Sequence, residues 1–212
     1  MTPLLAALAV TVIAWFALGS VWNVRKGGAA MRWMQEGLPL IGERTTVRWL
    51  GTTAVELGIR AARAPFEAVT IIVFLEPRDL PWMWALGRSQ GRRDILIVRA
   101  RLRAPPAADL EALDRASWSG REALRRLDRE RWSVREPSRD GGLATFYPAP
   151  AALARADALL ELASRAEVAV RRLSVRRGER QLELHVALPP PAVSARRFFE
   201  AVRALGERAV AA

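Results

Sequence analysis

The residues that could do chemistry are few. His185 is the only imidazole in the chain, and so the only side chain whose ordinary titration falls near neutral pH. It alternates with Leu184 and Val186, which places it on the polar side of its strand with Gln181 and Glu183. A histidine beside a carboxylate has the makings of a general base. On a solvated strand face the same pair is an ordinary surface feature, and that is the expectation here. Glu76 and Asp79 bracket Pro77-Arg78 after an apolar run. Strand ends often carry functional groups, but an ion pair with Arg78 that shapes the turn is the simpler reading. The chain has no cysteine, which excludes disulfides and cysteine-ligated zinc or iron–sulfur sites. One histidine cannot build a multi-histidine metal site, and no acidic cluster has metal-ligand spacing. No P-loop is present, and no nucleophile elbow is assigned, although Gly87-Arg88-Ser89-Gln90-Gly91 has the G-x-S-x-G spacing. No catalytic residue, metal ligand or cofactor is assigned.

Basic charge is the second signal. Of 33 basic residues only Lys26 is lysine, and the formal charge is +11. Scarce Lys, Asn and Gln fit a GC-rich genome, and scarce Asn, Gln and Cys would suit a thermophile. Residues 1–106 hold 14 basic against 7 acidic residues, and residues 107–212 hold 19 against 15. Arg88, Arg92, Arg93, Arg99, Arg101 and Arg103 lie in one stretch with Asp94 as its sole acid. The loop from Gly87 to Arg93 offers backbone N–H groups and guanidinium forks to an anion, or is a solvated turn. The six arginines form a candidate anion-facing patch for anionic lipid headgroups. Glu56, Glu67 or Glu76 on neighbouring strands could instead neutralise them from within. Nucleic acid is disfavoured, because no base-stacking platform accompanies the charge beyond Trp82 and Trp84.

The elements that must position these groups begin with a membrane segment. Pro3 to Trp22 carries no charge over 20 residues, which as a helix spans about 30 Å, the thickness of a bilayer core. A signal peptide would need a basic n-region, and only Met1 and Thr2 precede the run. Arg25, Lys26 and Arg32 follow it, so the positive-inside rule places the N-terminus outside and the remainder in the cytoplasm. Trp22, Trp33, Trp82 and Trp84 are candidate membrane-interface residues. Gly27-Gly28 should break the helix. Residues 29–36 then form a short helix that lies in the interface or packs on the following domain.

Beyond Thr45 the expectation is strands at 45–50, 54–60, 66–76 and 94–104, ended by Pro105-Pro106. Residues 80–86 form an apolar, Trp-rich loop that folds into the core or covers a sheet edge, or else contacts the membrane. Asp109–Ala116 reads as a short helix, followed by a basic helix with the capping-box spacing Ser119-Gly120-Arg121-Glu122. Trp132–Arg135 and Leu143–Tyr147 flank Asp140-Gly141-Gly142 as a hairpin. A helix at 150–165 carries Leu153, Ala156, Leu160 and Ala163 on one stripe. A hairpin at 167–188 turns at Gly178-Glu179, with a bulge or bend at Arg171-Arg172. Ser194 caps a final helix with Phe198, Val202, Leu205 and Ala209 inward.

The fold class is α+β: a single N-terminal transmembrane helix followed by a mainly antiparallel mixed α/β soluble domain. The divisions are an anchor at 1–26, an amphipathic juxtamembrane linker at 27–44, a β-rich part at 45–106 and an α+β part at 107–212. Residues 45–212 form one domain or two lobes. The function expected is that of a single-pass, bacterial-type membrane protein whose cytoplasmic domain acts by interaction, as scaffold or accessory subunit. Its partners are the bilayer through residues 3–22 and an unidentified protein or a second copy. The alternative is an anion-binding module for lipid headgroups or nucleic acid, and an enzyme is third.

Overall fold

A computed structural model describes residues 3–127, 130–137 and 142–211. The elements run α1 (Pro3–Gln35), a 3-10 turn at Leu38–Leu40, β1 (Thr45–Trp49), β2 (Ala54–Ile59), β3 (Phe66–Phe74), α2 (Pro81–Ser89) and β4 (Ile95–Leu102). They continue with β5 (Leu110–Leu113), α3 (Trp118–Leu127), β6 (Ser133–Arg135), β7 (Ala144–Tyr147), α4 (Ala151–Ser164), β8 (Val170–Arg176), β9 (Gln181–Ala187) and α5 (Ala195–Val210). The strands form one antiparallel sheet of nine in the order β1-β2-β3-β4-β9-β8-β5-β7-β6. Strand β4 pairs with β9 from Ile95↔Ala187 to Arg101↔Gln181. The two parts divided at Pro105-Pro106 are therefore one sheet.

Period-two alternation sorts the sheet into two faces. Leu96, Val98, Ala100 and Leu102 of β4 and Leu182, Leu184 and Val186 of β9 are fully buried in the main core. Against them pack Ala156, Leu159 and Ala163 of α4, Phe198, Phe199, Val202 and Leu205 of α5, Leu38 and Ile41, and Ala30 and Met34 of α1. Ser194 caps α5 by accepting from the Arg197 N–H. The opposite face is polar along β8 and β9. It is part-covered by α3, whose Ala123 and Leu127 pack on Leu113, Ala144 and Phe146 as a second, smaller core.

Several expectations are corrected. Gly27-Gly28 does not break α1, which runs on to Gln35. Glycine serves close approach here: a Cβ on Gly27 would lie 2.7 Å from the Trp49 ring. Residues 29–35 belong to α1 and pack on the domain rather than forming a separate interfacial helix. Residues 109–116 do not form a helix. Leu110–Leu113 is strand β5, held between β7 and β8, because a central sheet position and ion pairing of Glu111 outweigh local helical preference. Helix α3 begins at Trp118, and the cap is Ser117, whose Oγ accepts from Gly120 N–H, rather than Ser119. Residues 81–89 form helix α2 instead of a loop, started by Pro81 in its first turn. The β8 irregularity falls between Val170 and Arg172, as expected. Of the hairpin turn at Asp140-Gly141-Gly142, residues 140 and 141 lie outside the described residues. The flanking strands β6 and β7 do pair.

Candidate functional site

Two polar constructions stand out. The first joins α1 to the domain. Gly19, Asn23, Gly27, Ala30 and Met34, spaced three or four apart, make the buried stripe of α1. A Cβ on Gly19 would sit 2.2 Å from the Arg78 carbonyl oxygen, so only glycine admits this contact. Asn23 is fully buried; its amide donates to Glu76 O at 3.0 Å and its Oδ1 accepts from Arg78 at 3.2 Å. Arg78 grips Asp94 with two hydrogen bonds, of 3.0 and 2.8 Å. Lys26 pairs with the same carboxylate, and Glu76 N–H donates to it at 2.7 Å. Burial alone would push Asp94 up, but these donors outweigh it and hold its pKa below the usual value. The Glu76 carboxylate accepts from Trp84 Nε1 at 2.7 Å and from Arg88 at 3.2 Å. Higher on α1, Trp15 Nε1 donates to Arg78 O at 2.9 Å. The expected ion pair between Arg78 and Glu76 is present at 3.5 Å, as one strand of this wider network.

The second construction lies on the polar sheet face. Glu111 is fully buried; it accepts from Arg172, from Ser174 Oγ at 2.7 Å and from Arg176 at 3.2 Å. Glu183 accepts from Arg172 and Arg99 at 2.8 Å each, from Gln181 at 3.1 Å and from His185 Nε2 at 2.6 Å. Burial pushes Glu183 up, but the hydrogen bond from His185, the charge His185 carries once protonated in acid, the charge of Arg172 and the hydrogen bond from Arg99 prevail and hold it at about 2. Burial lowers the pKa of His185 despite Glu183 beside it. A neutral imidazole donating through Nε2 leaves Nδ1 with a bare lone pair, and that buried atom has no partner. His185 is 6% exposed, which corrects the expectation of a solvated strand-face histidine. It sits between Ile97 of β4 and Arg172 of β8, and with Glu183, Arg172, Ser174 and residues of α3 it lines a cleft of about 570 Å³. Its arginines and carboxylates pair mostly with one another, so the lining offers oriented hydrogen bonds rather than net charge. Among the described residues, no three of His, Asp and Glu are grouped as metal ligands.

The six arginines of the candidate patch each have an identifiable neighbour. Arg88 pairs with Glu76, Arg99 with Glu183, and Arg101 with Glu67 at 3.2 Å. Arg103 donates to the carbonyls of Phe66 and Ala62. Arg92 stacks over Trp118 at 4.8 Å, and Arg93 donates to the carbonyls of Arg88 and Arg92. Glu67 and Glu76 thus act as internal counter-charges, whereas Glu56 pairs with Arg48. Of the four tryptophans, Trp22 and Trp82 are exposed and Trp84 is half-buried on Glu76. Trp33 instead packs 5.5 Å from Phe198 and donates to Val193 O, which places it on the core. Sequence reasoning missed Glu111, Arg172 and Asn23. The signal for Glu111 was a lone acid in an apolar four-residue run, Leu110–Leu113; the signal for Asn23 was the only asparagine, four residues from two glycines. No protein-family model matches the chain, and no curated protein is similar to it.

Proposed function

We propose that the protein is a single-pass membrane protein whose α+β domain is carried rigidly on its span, lies on the cytoplasmic side, and acts by interaction as a scaffold or accessory subunit. One observation carries the anchoring: α1 is long and apolar enough to cross a membrane, and Leu4, Leu8, Val10, Ile13, Phe16 and Leu18 on it are all exposed. Such a surface needs lipid or another apolar cover. A cleaved signal peptide is disfavoured, because the same helix continues through buried Asn23 into core residue Met34. Arg25 and Arg32 support the cytoplasmic side by the positive-inside rule, while the charge of Lys26 is offset by Asp94. Internal pairing of Arg88, Arg99 and Arg101 with Glu76, Glu183 and Glu67 favours interaction over general anion binding. The test is alkaline extraction of native membranes together with a reporter fused after Ala212. Retention in the membrane with a cytoplasm-active reporter is expected. Release into the supernatant refutes the anchor, and a signal only from an exported reporter refutes the orientation.

A further inference from the structure

The docking of α1 reaches too far up the apolar run for the domain to hang below the bilayer. Trp15 bonds to Arg78 O, and Gly19 lies against the same carbonyl. Only residues 3–14 stand clear of the domain, about 18 Å of helix at ~1.5 Å per residue. A hydrocarbon core is about 30 Å thick. Residues 15–22 supply the missing ~10 Å, and they cannot enter lipid without the β3–α2 corner that touches them.

That corner is made for such a place. Residues 80–87 contain no charge. Trp82, Met83 and Leu86 of α2 point outward, exposed by 58%, 43% and 59%. The arginines behind them are matched, Arg78 on Asp94 and Arg88 on Glu76, while Asp79 accepts from the neutral Thr52 hydroxyl at 2.8 Å and keeps one buried oxygen without a partner. Charged groups at membrane depth are tolerated when paired in this way. Between α2 and α1 runs a groove of about 420 Å³ lined by Trp15, Leu18, Gly19, Trp22, Arg78 and Trp84. It opens beside the apolar run and continues its lipid-facing surface.

We propose that α2 and the β3–α2 corner are embedded in the interfacial layer of the bilayer, with a lipid acyl chain filling the groove between α2 and α1. The protein is then anchored twice in one leaflet, by a span and by a short in-plane helix, which fixes the tilt of the sheet over the membrane. This rests on the reading of α1 as a membrane span.

The absence of cysteine allows a direct test in the full chain. Single variants Leu86→Cys (α2), Leu18→Cys (groove), Leu8→Cys (free span) and Arg126→Cys (α3) are labelled with an environment-sensitive fluorophore. Each is reconstituted in phosphatidylcholine–phosphatidylglycerol vesicles containing doxyl-labelled lipid. Labels at 86, 18 and 8 should be quenched at least twofold more than the label at 126. Position 86 should respond best to shallow doxyl groups and position 8 to deep ones. If 8 is quenched while 86 behaves like 126, the corner lies in water and this proposal falls, with the span intact. If 86 is quenched and 18 is not, no acyl chain occupies the groove and that part is wrong. If 8 itself is not quenched, the span reading fails and takes this proposal with it.

Discussion

Replacing Glu183 by glutamine tests the charged layer on the sheet. The carboxylate accepts from Arg99, Arg172, Gln181 and His185, and a Glu183→Gln amide would turn an N–H₂ group toward guanidinium donors while keeping the size. Folding lowers the Glu183 pKa from 4.5 to about 2. At ~1.36 kcal/mol per pH unit this amounts to about 3 kcal/mol of stability. The folded value lies below the unfolded one, so the contribution is fully present above pH 4.5 and is lost as pH falls toward 2. At pH 7 the variant should be less stable by about 3 kcal/mol, a fall in Tm of roughly 6–12 °C for a chain of this length. Below pH 4.5 the gap should narrow, because the carboxyl of the unfolded chain takes up a proton while the folded one stays ionised down to about 2. The assay is thermal melting of both full-length chains in mild detergent, followed by circular dichroism between pH 7 and pH 3. A Tm difference that stays constant across that range, or no difference at pH 7, would refute the reasoning.

Other expectations follow from the same contacts. His185→Ala should cost about 1–3 kcal/mol in a denaturant titration, because it removes a buried partner of Glu183. Burial holds the native His185 pKa below its ordinary 6.5, so the unfolded chain takes up its proton first. Stability should begin to fall as pH drops below 6.5 in the unchanged chain, and this first step should be missing in His185→Ala. Gly19→Ala should destabilise by about 1–3 kcal/mol through overpacking against backbone. Gly28→Ala, which meets only the Arg32 guanidinium at 3.6 Å, should stabilise by about 0.5–1 kcal/mol as a helix residue; parallel melts separate the two. A truncated chain beginning at Arg44 should fail to give a monodisperse folded species in size-exclusion chromatography. It lacks Met34, Leu38 and Ile41, buried core side chains each worth about 2–5 kcal/mol.

Features that depend on local pattern were legible in the order of residues. The uncharged run at 3–22, the period-two alternation of β4 and β9, and the apolar stripe of α5 after Ser194 each follow from residue spacing, and the structure has them where the spacing puts them. Features that depend on a partner far away in the chain were not legible there. Leu110–Leu113 reads as the start of a helix until β7 and β8 bracket it. Gly27-Gly28 reads as a break until Trp49 fills the space a side chain would take. Residues 81–89 have too few turns for periodicity to separate helix from loop. The polar face of β9 gives no hint that His185 and Glu183 will be buried there, in a cleft lined also by α3 some 60 residues earlier. Burial is a property of the assembled layers. An alternating strand fixes which side chains share a face, but only packing decides whether that face meets water, and the chemistry of His185 turns on that difference.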